Sequence, residues 1–79
     1  MITLDKVKPG ETVYIERLDS EGAIRRRLLD LGLTPKTKVL VRKIAPMGDP
    51  LELNLRGYEL TIRADDARTI IVSRCEKCG

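Results

Sequence analysis

The chain has 79 residues, of which 42% are hydrophobic, 34% charged and 3% aromatic, with a formal net charge of +3. That is room for one small core and not for a second domain or a deep substrate pocket. It contains no His, which excludes Ser-His-Asp and Cys-His nucleophile pairs and every His-ligated metal site. No apolar run exceeds three residues, as in Ile70, Ile71, Val72, so no segment approaches the roughly 20 apolar residues of a membrane-spanning helix.

The first eight residues mix charges of both signs without the apolar stretch of a signal peptide, which predicts a cytoplasmic address. Thr12 to Leu18 alternates, with Val13 and Ile15 on one face and Tyr14 and Glu16 on the other, and is predicted to be a first strand. Asp19, Ser20, Glu21, Gly22 breaks the alternation and supplies side-chain oxygens to cap a helix starting near Gly22. Ile24, Leu28 and Leu31 recur at helical spacing as an apolar stripe, and Arg26 and Asp30 pair at i, i+4 on the opposite side. Gly32 is placed to close the helix in the left-handed conformation, with Leu33 folding back on Leu28.

Thr34, Pro35, Lys36, Thr37 is a turn with Pro at its second position, leading into a second strand over Lys38 to Ile44. Ala45 to Pro50 holds two Pro and a Gly and is predicted to be a loop. Leu51, Leu53 and Leu55, then Tyr58, Leu60 and Ile62, alternate on either side of Arg56 and Gly57 as two strands joined by a tight turn. Ala64 to Arg68 suits one helical turn, and Thr69 to Ser73 a fifth strand. The fold class is therefore mainly β: a small five-stranded antiparallel barrel with one α-helix, lying between the first and second strands, that plugs an open end. The predicted core is Val13, Ile15, Leu28, Leu31, Val39, Val41, Leu53, Leu60, Ile62 and Ile70. The domain is expected to span residues 1–74, with 75–79 as a tail.

Seven basic residues and one acid lie between Arg25 and Lys43, a segment charge of +6. Such a surface steers an acidic partner, although Arg25, Arg26 and Arg27 fan about 100° apart and cannot all line one groove. With only Tyr14 and Tyr58 for aromatics, neither stacked nucleic-acid bases nor a Pro-rich peptide have the platforms they need. Leu29, Leu33 and Met47, beside Arg25 and Arg26, form a candidate apolar docking site, or else Leu29 and Leu33 simply cover the barrel end. No phosphate-cradling Gly loop occurs, and Asp65 and Asp66, which could join Glu59 around a divalent cation, are as well explained as acids at a helix start. Cys75 and Cys78 have the spacing of half a tetrahedral thiolate site, which a homodimer or a partner would complete around Zn or Fe, or they form a free reduced dithiol. No other cofactor is expected.

The run Gly22 to Pro35, with Ala23-Ile24-Arg25-Arg26-Arg27-Leu28-Leu29-Asp30-Leu31-Gly32-Leu33 at its heart, resembles the helix segment of ferrous iron transport protein A, the FeoA family. Ala45 to Pro50 and Leu55 to Leu60 resemble that family's later segments, in order and in register, so the likeness extends over residues 2 to about 73. The resemblance implies an SH3-like barrel without a catalytic site, working in the cytoplasm with FeoB, the membrane GTPase that imports ferrous iron. It also implies an alternative, a regulatory domain acting on an iron-responsive repressor, because such repressors carry the same fold. Lys36 stands where that family usually has Gly, and since Lys disfavours positive φ, the turn is expected to be type I.

Overall fold

The alternation read in the sequence becomes pleated backbone, and the breaks in it become turns. The computed structural model describes residues 2–74. The elements run β1 (Ile2–Thr3), a 3-10 turn (Leu4–Lys6), β2 (Thr12–Leu18), α1 (Gly22–Asp30), β3 (Lys38–Ile44), β4 (Leu51–Leu55), β5 (Tyr58–Ile62), α2 (Ala64–Ala67) and β6 (Ile70–Arg74). All strands pair antiparallel in one sheet of order β1-β6-β2-β3-β4-β5.

Two expectations change here. The sheet has six strands rather than five, because Ile2 and Thr3 pair with Val72 and Ile71; a two-residue strand is too short to show any alternation. The helix α1 therefore lies between the second and third strands. The sheet also does not close into a barrel: its two end strands, β1 and β5, do not pair with each other. Curvature comes instead from register shifts between Ile15 and Arg17 and between Val41 and Lys43, since a bulge bends its strand and increases the local twist.

The curled sheet encloses Val13, Ile15, Val39, Val41, Leu53, Ile62, Ile70 and Val72, and α1 contributes Leu28 from above. Leu4, in the 3-10 turn, Val7 just after it, and Leu33, Leu51, Leu55 and Ala67 complete the core. Leu31 and Leu60 are only partly buried, and Ile24 is 47% exposed. The helix stripe is thus narrower than its spacing suggests, with Leu28 its one fully buried member.

The C-terminus of α1 closes as predicted. Leu33 N–H donates to the Leu28 carbonyl at 3.1 Å and Gly32 N–H to that of Leu29 at 3.0 Å, the paired bonds of a Schellman motif, with Gly32 at φ 99°. The N-terminus does not follow expectation: Glu21 precedes the helix without a side-chain cap. The Asp19 carboxylate is held by Arg17 at 3.0 Å, its amide donates to the Thr69 carbonyl, and the Ser20 hydroxyl is buried without a hydrogen-bond partner among the described residues. Nor do Arg26 and Asp30 form an ion pair among the described residues.

The turn at 34–37 also departs from the reading. Lys36 has φ 71° and Thr37 N–H donates to the Thr34 carbonyl at 3.2 Å, so the turn is type II. The tertiary contacts impose it: Lys36 N–H donates to the Ile15 carbonyl at 2.6 Å and Ile15 N–H to that of Thr37 at 3.0 Å, which fixes both ends of the turn against β2. The turn between β4 and β5 needs positive φ twice, at Arg56 (52°) and Gly57 (85°), the pattern of a two-residue type I′ hairpin.

Candidate functional site

The exposed face of α1 carries the strongest candidate for a contact surface. Arg25 and Arg26 line a shallow groove of about 290 Å³ with Gly22 and Leu29, and among the described residues neither guanidinium has an ion-pair partner. A cation left unpaired at a surface is free to meet a charge brought by another molecule. Arg27 points elsewhere, donating from Nη2 to Asp66 Oδ2 at 2.7 Å. The 100° fan of three consecutive arginines thus divides them: two toward solvent and one toward α2.

Of the two leucines assigned to this surface, Leu29 is half-buried in the groove. Leu33 is fully buried, so it covers the end of the core and offers no area to a partner. Met47 stands at the tip of its loop, 92% exposed. The loop is fastened at three points, by Gly48 N–H to the Ala45 carbonyl, by Ala45 N–H to the Pro50 carbonyl, and by Asp49 Oδ1, which accepts from Ala64 N–H at 2.8 Å at the start of α2. A fastened loop presents its apolar tip in a fixed place, as a contact anchor requires. Beside it lies a groove of about 500 Å³ lined by Ile44, Ala45, Pro46 and Pro50 with Lys43, Glu52 and Thr61. This loop groove and the helix groove share no residue, so the candidates occupy two surfaces.

The acids once weighed as cation ligands are otherwise engaged. Glu59 meets Arg42 at 3.4 Å, Asp65 meets Arg68 at 2.8 Å and Asp66 meets Arg27. Among the described residues no group of three or more His, Cys, Asp or Glu is placed to hold a metal ion. Cys75 and Cys78 lie outside the described residues. One surface escaped the sequence reading: Thr12, Leu40 and Asn54 pair across β2, β3 and β4 and, with Lys38, Leu55 and Arg56, line a third groove of about 270 Å³. Its signal in the sequence is the outward half of the β3 alternation, Lys38 and Leu40.

No helix of the described residues is long and apolar enough to cross a membrane. Comparison with known proteins gives these features a context. A segment of the Fe(2+) transport protein A/Fe(2+) transporter FeoB fusion protein of Porphyromonas gingivalis (strain ATCC BAA-308 / W83) is 29% identical over 69 residues, which is 87% of this chain and 8% of that protein. The chain therefore spans a small part of that relative. The solution NMR structure of FeoA protein from Chlorobium tepidum is 40% identical, with a TM-score of 0.85 over 92% of this chain and 70% of that one. Stenotrophomonas maltophilia FeoA, a procaryotic SH3 domain protein solved with zinc, shares the fold at 23% identity and a TM-score of 0.80, over 92% of this chain and 91% of that one. The FeoA domain model matches residues 2–74. Matched along nearly its whole length by that model, the chain belongs to the FeoA domain family.

Proposed function

We infer that this chain is a cytoplasmic, non-enzymatic accessory protein of ferrous iron uptake that binds and modulates FeoB, the membrane GTPase that imports the ion. The observation that carries the reading is the fusion: in the P. gingivalis protein a segment like this chain is joined to an Fe(2+) transporter in one polypeptide. Covalent joining holds two modules at high effective concentration, which is useful where they act on each other. The surface of this chain suits such a role. Arg25 and Arg26 steer an acidic face of the importer, Leu29 gives the groove an apolar floor, and Met47 anchors from its fastened loop.

The test is binding to the cytoplasmic part of the importer, with and without guanine nucleotide. Salt screening shortens from about 10 Å at 0.1 M to about 3 Å at 1 M. Arg25→Glu with Arg26→Glu is accordingly expected to slow association and remove most of its salt dependence, and Met47→Asp to raise the dissociation rate instead. If both variants fold and bind like the parent, these two surfaces are not the contact. Absence of binding by the parent chain would overturn the importer reading and leave the repressor-linked regulatory domain as its replacement.

A further inference from the structure

The groove on the outer face of β2, β3 and β4 carries charge that the rest of the described chain leaves unbalanced. Lys38, Leu40 and Arg56 line it with Thr12, Asn54 and Leu55, around about 270 Å³. Leu40 pairs with Asn54 and Val41 with Leu53; carried on toward the hairpin tip, that register puts Lys38 opposite Arg56. Like charges directly opposite on neighbouring strands repel. Both side chains are exposed, and neither has an ion-pair partner among the described residues. The acids nearest in the register are taken. Glu59, across from Asn54, meets Arg42 at 3.4 Å, and Glu11, next to Thr12, meets Arg74 at 3.5 Å. The repulsion is left for a molecule from outside to relieve.

Arg56 adds an independent observation. It opens the two-residue turn between β4 and β5 at φ 52°, a position where Asn, Asp or Gly is usual because an L side chain crowds the backbone in that region. Asn or Gly would make the turn more easily and would remove the repulsion with Lys38, so folding gains nothing from Arg here. Backbone strain of this kind collects at ligand sites, where binding offsets it.

The chemistry of the lining selects the ligand. Guanidinium and ammonium offer only donors, and Thr12 and Asn54 add a hydroxyl and an amide. No acid lines the groove, so it suits an anion and not a cation. A carboxylate would balance one of the two cations, whereas a phosphate group carries a charge of about −1.5 to −2 with several acceptor oxygens and balances both. The apolar part of the lining is Leu40 and Leu55, without an aromatic ring to stack a base, so the phosphate and not a nucleobase is what the groove recognises.

We propose that Lys38 and Arg56 form an oxyanion site for a phosphate group, held as the free ion or as the headgroup of a phosphate monoester lipid. The site shares no residue with the α1 groove or the loop groove, and the inference does not depend on the importer reading.

Titration of the full chain with inorganic phosphate at constant ionic strength, followed by amide NMR shifts and by melting temperature, tests it. Saturable shifts are expected at Thr12, Lys38, Leu40, Asn54 and Arg56, with a rise in melting temperature, since a ligand bound only to the folded state stabilises it. Arg56→Asn and Lys38→Gln are each expected to weaken phosphate binding at least tenfold while melting no lower than the parent without phosphate, which separates binding from folding. If either variant melts lower, the residue-specific shifts of the parent decide. Arg63→Gln, which removes a positive charge from a different groove, is expected to bind phosphate as the parent does. Vesicles of phosphatidylcholine with phosphatidic acid identify the source: binding that inorganic phosphate competes away assigns the headgroup, and phosphate binding without vesicle binding assigns the free ion. The proposal is overturned by the lack of saturable phosphate binding, by shifts spread over all the exposed basic residues, or by binding that survives both substitutions. Acetate that binds as tightly as phosphate at equal ionic strength overturns it too.

Discussion

At the scale of single residues, two backbone positions hold conformations that their neighbours dictate. Lys36 sits at φ 71° because its amide is tied to Ile15. An L-residue in the left-handed region costs about 1 to 2 kcal/mol, while Gly there gives back part of the gain through its freer unfolded chain. Lys36→Gly is therefore expected to raise stability by about 0.5 to 1 kcal/mol in urea titration; a fall would mean that the side chain makes a contribution that its exposure hides. Gly32 is constrained twice, by φ 99° and by the Tyr58 hydroxyl, which would lie 2.7 Å from an added Cβ. That hydroxyl donates to the Leu31 carbonyl and ties the hairpin tip to the end of α1. Gly32→Ala is expected to cost about 2 to 4 kcal/mol, combining left-handed strain with overpacking. In a Tyr58→Phe background the cost should shrink, since the clashing oxygen is gone. A double-mutant cycle with no coupling would show that the close approach is relieved some other way.

At the scale of elements, α1 is held by few attachments, which makes each one measurable. Leu28 is its only fully buried side chain, and Leu28→Ala is expected to cost about 2 to 5 kcal/mol by transfer and cavity terms together; a change below 1 kcal/mol would mean the helix is not seated by its stripe. Arg27 joins α1 to α2 through Asp66, whose side chain is 12% exposed while that of Arg27 is 58% exposed. Removing Arg27 leaves a mostly buried carboxylate short of a donor, so Arg27→Ala is expected to cost about 1 to 2 kcal/mol, discounted for the solvent on the Arg side. Arg27→Lys should recover part of it. Equal melts for all three proteins would place this pair among the surface contacts that contribute nothing measurable.

At the scale of the whole molecule, β6 enters between β1 and β2, so the first and last strands lie side by side in the sheet. The described residues by themselves supply one continuous hydrophobic core. The Cys75→Ser, Cys78→Ser double variant is accordingly expected to melt at the parent's temperature. The thiolate site proposed for these two residues makes the opposite forecast under metal: stoichiometric Zn or Fe that survives dialysis, stabilises the parent and is lost in the variant.

What the sequence determined by itself was everything carried by a local period. Residues 51–55 and 58–62 alternate throughout, and 12–15 and 38–41 alternate up to the bulges before Arg17 and Lys43; that was enough to place these strands and their inward faces, and Gly32 with Leu33 marked the helix end, because these signals need only neighbouring residues. The basic groove was legible in the same way, since Arg25 and Arg26 follow from the helical fan. Tertiary structure decided the rest. Whether Leu33 faced solvent or core, and which way Lys36 turned, depended on bonds to residues distant in the chain: Leu33 closes the core beneath the Schellman turn, and Ile15 pins Lys36 from β2. Barrel or open sheet was likewise undecidable locally, since closure is a matter of whether β5 finds a partner. β1 and β5 end the sheet without pairing with each other, and β1, two residues long, offers little edge on which to close it.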